Sequence, residues 1–306
     1  MERLRQQLQC LRIWSQGGLR APHKPLLLLL ALANVQRRGP RLLLFADIEP
    51  QLKALLEDFG PARGVQSPEH PFWRLQNDGD FWEIPKRDAL QDAIRGLKKQ
   101  GYIPPKILRA QGAEAGFTQE VHDALRRDPA LVNALVSELL CRHFPESLHE
   151  LLLDAVEMPW VPPAPPDQAA DAARFQLQLR RVRNPDFRRE ILHVYGCRCA
   201  VCGYDGRLGG QSVGVEAAHV RWFAHEGPDE VENGLALCAL HHRLLDFGAF
   251  GLTPERRIVV SGRFAQSPDA LSALAPYQDR PLRDPLQARP VAARHIQWHR
   301  EQVFKG

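Results

Sequence analysis

Three segments decide how the second half of this chain folds: C-A-V-C at 199–202, V-E-A-A-H-V at 215–220, and E-N-G-L-A-L-C-A-L-H-H-R-L-L-D at 232–246. Cys199 and Cys202 form one ligand pair and Cys238 and His241 a second, each spaced so that a tight turn brings both donors to one metal. Thiolates and imidazole in a tetrahedral array select zinc, and four protein ligands leave no position open for substrate, so this set predicts a structural Zn2+ site. A lone C-x-x-C can instead be a redox pair, but the second pair and the missing βαβ pattern argue against that. Cys197 is out of step with the pairs and is left outside the set.

Between the pairs, Val213 to Val220 alternates like a strand with His219 near its end. Asn233-Gly234 reads as a turn into a second strand over Leu235–Leu237, and a helix is expected from Ala239 onward. On that helix His242 and Asp246 are four apart and share a face, which suits two ligands on one divalent cation. An isolated His in a small strand is more often structural than catalytic, but this one has company. The order strand, loop, strand, helix resembles the ββα-metal core of the His-Asn-His (HNH) endonucleases, with His219, Asn233 and His242 on the three motif positions. The resemblance implies that His219 is the general base toward water and that Asn233 holds the loop orienting it. It also implies that His242 and Asp246 hold Mg2+ or Mn2+ against the scissile phosphate. The position before the base, often a metal-binding Asp or His, is Ala218 here, and Glu216 is the residue at hand to compensate.

The chain around this stretch has 306 residues, 44% hydrophobic and 25% charged, a length and composition that suit two soluble globular domains. The apolar run Pro25–Ala33 is far short of the ~20 residues needed to span a bilayer, and the N-terminus lacks a secretory apolar region, so a cytoplasmic protein without a membrane partner is expected. The net charge of +4 is mild, with a local basic cluster at Arg180, Arg181, Arg183, Arg188 and Arg189 that could neutralise phosphates. Grouped cysteines in a cytosolic chain suggest metal rather than disulfides.

Upstream, Leu4–Trp14 has a loose helical pattern ended by Gly17-Gly18. In L-R-A-P-H-K-P-L-L-L-L-L-A-L-A, Pro25 fits a first helical turn, and the apolar run predicts a helix buried on most sides. Arg20, His23 and Lys24 flank that helix N-terminus, a ready anion site, although solvation and capping alone also account for them. Phe45–Phe59 is expected to be helical with Asp47 as N-cap. S-P-E-H-P-F-W-R-L-Q-N-D-G-D-F-W-E-I reads as a hairpin turned at Asp78-Gly79, with His70-Pro71 in the loop before it. Helical patterns follow near Arg87–Gln100, Gln119–Arg127 and Pro129–Cys141, with a last one through Val156. Five prolines in M-P-W-V-P-P-A-P-P-D-Q-A-A-D then mark a spacer. Beyond the core stretch a short strand at R-I-V-V-S and a terminal amphipathic helix carrying His295, Trp298 and His299 are expected.

The segments R-A-P-H-K-P-L-L-L-L-L, P-E-H-P-F-W-R-L-Q-N-D-G and F-P-E-S-L-H-E resemble the sulfur-binding domain of phosphorothioated-DNA-binding restriction endonucleases. Y-G-C-R-C-A-V-C-G-Y-D-G-R-L-G-G and A-R-H-I-Q-W-H-R resemble the same family's nuclease half. The resemblance implies a sulfur cavity that includes His70, Pro71 and the edge of Phe72 or Trp73, with Arg74 beside it. Arg20, His23 and Lys24 would grip neighbouring phosphates. The family's usual residue at His70 is Tyr, and a titratable ring makes the cavity less apolar and its affinity pH-dependent. The expected architecture is α+β: a mainly helical sulfur-binding domain with a small β-hairpin at 1–156, a proline-rich linker at 157–173, and a zinc-bearing HNH domain at 174–306. The expected function is a modification-dependent restriction endonuclease acting on phosphorothioate-modified double-stranded DNA. Cutting both strands with one active site per chain favours a homodimer. Two alternatives stand beside it: an HNH nuclease guided by another mark such as methylcytosine, and a zinc-stabilised DNA-binding protein with a decayed nuclease site.

Overall fold

The computed structural model describes residues 2–13, 21–62, 66–95, 103–158, 185–267, 270–286 and 288–306. Its contacts divide the chain into two compact units, Met1–Arg142 with Glu150–Ala172, and His143–His149 with Ala173–Gly306. Most of the proline-rich spacer, together with Arg180, Arg181 and Arg183, lies outside the described residues.

The first unit is built around a helix with no polar face. After α1 (Glu2–Gln9), α2 (His23–Gln36) buries every residue from Leu26 to Ala33. A helix apolar all round must be wrapped by others. α3 (Phe45–Phe59) supplies one wall with Phe45, Leu52, Leu55, Leu56 and Phe59. Its N-cap is Leu44, in extended conformation, and Asp47 sits in the first turn rather than at the expected cap. A three-stranded antiparallel sheet in the order β1, β3, β2 joins Leu42–Leu44, Glu114–Phe117 and Trp82–Glu83.

The expected hairpin over the aromatic stretch is not formed. Glu69–Arg74 is a helix (α4), Leu75–Asn77 a 3-10 turn, and the short β2 pairs with the distant β3. Pro68 and Pro71 both fit a helical first turn. Phe72, Trp73 and Leu75 turn into the core, where the Phe72 ring meets Phe45 edge-on at 4.9 Å. His70 and Pro71 therefore lie on a helix instead of a loop. α5 (Arg87–Ala93), α6 (Pro105–Ala110), α7 (Gln119–Arg127), α8 (Pro129–His143) and α9 (His149–Ala155) follow.

In the second unit α10 (Pro185–Val194) leads to two short strands, β4 (Arg207–Leu208) and β5 (Gln211–Ser212), then to an antiparallel pair, β6 (Val215–His219) and β7 (Gly234–Cys238). The register sets Val215 against Cys238 and His219 against Gly234. α11 (Ala239–Asp246) follows directly, then the pair β8 (Phe250–Leu252) and β9 (Ile258–Val260), and finally α12 (Ala293–Gln302), which packs on β8. Alternation along β6 and β7 sends Ala218, Leu235 and Leu237 into a core shared with Ile191, Leu245 and Phe250. Gly234 allows α10 to approach, since a Cβ there would fall 2.1 Å from the Ile191 side chain. No helix among the described residues is long and apolar enough to cross a membrane.

Candidate active site

Three groupings of chemically capable side chains form in the second unit, all on or beside β6, β7 and α11. In the first, one donor atom each from Cys199, Cys202, Cys238 and His241 lies within 4.8 Å of the others. Tetrahedral Zn–S bonds of about 2.3 Å put two thiolates about 3.8 Å apart. The sulfurs of Cys202 and Cys238 are 4.0 Å apart, and His241 Nδ1 is 3.7 Å from Cys199 Sγ and 3.0 Å from Cys238 Sγ. His241 Nε2 donates to the Ala273 carbonyl at 2.9 Å, which assigns Nδ1 to the thiols. Hydrogen bonding from Cys238 outweighs burial and, with a further hydrogen bond from His241, pulls the Cys199 thiol below its ordinary range. Three soft sulfurs and one imidazole form a set that could hold zinc. Cys197 stands outside it, half-buried, in left-handed conformation with φ 54°.

The second grouping uses the next residue of α11. His242 Nε2 faces Asp246 Oδ2 at 3.2 Å, and His242 Nδ1 donates to Glu216 Oε2 at 2.7 Å. Asp246 is 2% exposed and also accepts from the Ser147 hydroxyl. Burial opposes a charge on His242, but Asp246 and Glu216 outweigh it and push the imidazole up to about 9. One imidazole and one carboxylate on one helical face fit a divalent ion with waters filling its other positions. Glu216 meets the opposite edge of the ring from Asp246, so it buttresses His242 rather than filling the place of the ligand missing at Ala218, whose methyl is wholly buried.

The third grouping is three residues along β6, about 10 Å at strand spacing. His219 Nε2 donates to Asp229 Oδ1 at 2.8 Å, and its ring stacks on Phe187 of α10 with centroids 4.1 Å apart and planes 15° from parallel. Phe223 lies on another side of the ring, at 6.0 Å. Asn233 is completely buried, and its amide staples the intervening loop. Its Oδ1 accepts from Arg221 N at 2.8 Å, and its Nδ2 donates to the carbonyls of Arg221 and Pro228, both at 3.0 Å. Asp229 escaped sequence reading because no motif position marks it; the signal was an acid in the loop H-E-G-P-D-E-V-E-N between the motif His and Asn.

In the first unit, the residues expected to read DNA gather on α2 and α4, which pack together. Lys24 Nζ donates to both oxygens of Asp78, at 2.8 and 2.6 Å, and to the Arg12 carbonyl at 2.8 Å, so its charge is already matched. His23 is half-buried beside it, and Arg20 lies outside the described residues. On α4, Pro71, Phe72 and Trp73 are buried, whereas the His70 side chain is 45% exposed and Arg74 is open to solvent. Glu69, buried next to His70, has its carboxyl pushed up by burial.

No curated protein matches the chain. A family model described as the ScoMcrA-like DNA sulfur-binding domain matches residues 1–159, over half the chain, and one described as an HNH endonuclease matches residues 199–253. Similar solved structures include the sulfur-binding domain of ScoMcrA complexed with phosphorothioated DNA, at 23% identity, covering 50% of this chain and 94% of that one, with a TM-score of 0.42. The corresponding domain of SprMcrA, also complexed with phosphorothioated DNA, aligns at 22% identity over 51% of this chain and 93% of that one, with a TM-score of 0.40. The Type IV phosphorothioation-dependent restriction endonuclease ScoMcrA aligns at 16% identity over 80% of this chain and 94% of that one, with a TM-score of 0.40. On the two family matches, the chain belongs to the ScoMcrA-like sulfur-binding family and carries an HNH DNA endonuclease domain behind its sulfur-binding domain.

Proposed function

We propose that this protein is a modification-dependent restriction endonuclease, in which the N-terminal domain binds double-stranded DNA carrying a phosphorothioate and the C-terminal domain hydrolyses phosphodiester bonds near that mark. The observation that carries this reading is the presence in one chain of a sulfur-binding family match over 1–159 and an HNH match over 199–253. The domains run 1–156 and 174–306, joined by the proline-rich segment 157–173, which predicts cuts at a variable distance from the mark. Such an enzyme meets its DNA in the cytoplasm. Two chains, each supplying one active site, would cut both strands.

In the nuclease half, His219 takes a proton from the attacking water, whose oxygen bonds to phosphorus as the P–O3′ bond breaks. Asn233 holds the loop on which His219 depends. His242 and Asp246 hold Mg2+ or Mn2+, which when bound offsets the charge developing on the phosphate and on the leaving 3′-oxygen. Cys199, Cys202, Cys238 and His241 hold Zn2+ as part of the fold.

In the reader half, the exposed His70, with the apolar Pro71 packed next to it, lines the sulfur cavity, and Arg74, His23 and Arg20 lie toward adjoining phosphates. Sulfur is larger and softer than oxygen and a poorer hydrogen-bond acceptor, so a small apolar surface tolerates it. An ordinary phosphate oxygen placed there forfeits hydration, at a cost of a few kcal/mol by analogy with buried polar groups, roughly 2–7. Matched duplexes with and without one defined phosphorothioate, incubated with the protein and Mg2+ or Mn2+, test the reading: cleavage confined to the modified duplex is expected. Equal cleavage of both would sink the specificity, and preference for a methylcytosine duplex would point to another mark.

A further inference from the structure

The HNH reading leaves one step open: Asn233 is fully buried and spends its amide on backbone groups, so its hold on the base must pass through something else. The loop it staples supplies the link. Asn233 Nδ2 holds the Pro228 carbonyl at 3.0 Å, and the next residue, Asp229, places Oδ1 2.8 Å from His219 Nε2. Further bonds lock the same loop: Gly227 N donates to the Trp222 carbonyl at 3.0 Å and Asn233 N to the Glu230 carbonyl at 2.9 Å. At Gly227 a Cβ would fall 1.8 Å from the Arg221 carbonyl oxygen, so the chain can close this turn only with glycine.

We propose that Asp229 is the positioning residue of the general base: Asn233 sets the Pro228–Asp229 segment, and Asp229 fixes the tautomer and the rotation of the His219 imidazole. This rests on the reading of His219 as the base. An ionised carboxylate only accepts, so the contact places a proton on Nε2 and the lone pair on Nδ1. When Nδ1 takes the proton from water, the ring becomes an imidazolium whose charge sits against the Asp229 carboxylate. The stack on Phe187 fixes the ring plane, and the carboxylate fixes the angle within that plane; neither contact does both. Of the elements packed on His219, α10 presents the Phe187 ring, the 223–225 turn the Phe223 ring, and β7 the glycine Gly234. Asp229 brings a carboxylate to the imidazole within hydrogen-bond distance.

The test compares Asp229→Asn, Asp229→Glu and His219→Ala in the full-length protein, on whichever duplex the wild type cleaves, so it is independent of which mark the reader prefers. Single-turnover rates are measured across pH with divalent ion in excess, with DNA affinity and zinc content as controls for folding. Asp229→Asn is expected to lower the rate about 10- to 100-fold, a share of the 10²–10⁴ that a general base supplies. Its acidic limb moves to lower pH, because the imidazolium loses its counter-charge. Asp229→Glu recovers part of the rate. Nitrogen-15 histidine NMR without divalent ion is expected to report His219 as the Nε2–H form in the wild type and as a mixture in Asp229→Asn. A wild-type rate and pH profile in Asp229→Asn overturns the proposal, and so does a slower rate with limb and tautomer unchanged. Undiminished cleavage by His219→Ala removes the base reading itself, and this proposal with it.

Discussion

His241 and His242 are neighbours on one helix, yet the structure sets them in opposite chemical company. Successive residues on an α-helix point about 100° apart, so the two rings leave the helix in different directions. His241, 3% exposed, has its Nδ1 among thiols and its Nε2 on a neutral backbone carbonyl. His242 lies between two carboxylates, Asp246 on one nitrogen and Glu216 on the other. A carbonyl holds a ring in place without adding charge, which suits a closed, soft-donor site that belongs to the fold. Carboxylates keep a ring electron-rich and draw in a hard cation with exchangeable ligands. The two groupings are told apart less by their ligands than by what stands behind each ligand.

The sharpest way to break this contrast is on the closed side. Cys238→Ala should cost unit 2 at least about 5 kcal/mol, since binding a structural zinc is inseparable from folding. Calorimetry should show the loss of its unfolding transition, and atomic absorption the loss of zinc. On the open side, His219→Ala should lower single-turnover cleavage about 10²- to 10⁴-fold while affinity for the duplex persists. Glu216→Gln should leave zinc content unchanged and raise the Mn2+ concentration for half-maximal cleavage about 10- to 100-fold, as removal of a carboxylate behind a metal-binding imidazole does elsewhere. If it lowers zinc content instead, the two groupings are not separable. The smallest effect concerns a histidine in neither grouping. Burial, then the nearby Arg294 and Arg221, hold His295 down to about 4, so it is neutral in the fold, while the unfolded chain protonates it near pH 6.5. The unfolded state therefore binds the extra proton first, and stability falls as pH drops from about 6.5 toward 4, at up to about 1.4 kcal/mol per unit. Urea midpoints across that window should show the slope, and His295→Asn should lack it.

The nuclease core was legible because its spacing, its element order and its motif residues all pointed to one answer. Val215–His219, Gly234–Cys238 and Ala239–Asp246 form strand, strand and helix where the pattern puts them. The aromatic stretch at 67–84 was misread because a short run of Phe and Trp does not separate a helix of six residues from a strand by period alone; Pro68 and Pro71 were the better guide. Asp229 was illegible for a different reason. Its role is made by a loop closure that brings residue 229 back to residue 219, and nothing in local periodicity records such a contact. Lys24 was visible as a cation but not as a matched one, because its partner Asp78 is 54 residues away.

That pairing bears on how the reader half responds to salt. A cation that already holds a carboxylate within the protein displaces few counterions from DNA when it approaches a phosphate. Each phosphate newly neutralised steepens the fall of log affinity with log salt by about 0.9 on duplex DNA. With Lys24 tied to Asp78, the slope is shallower than a tally of basic residues near α2 suggests. The same pairing limits the attraction that any unmodified backbone exerts, leaving more of the discrimination to the single altered atom.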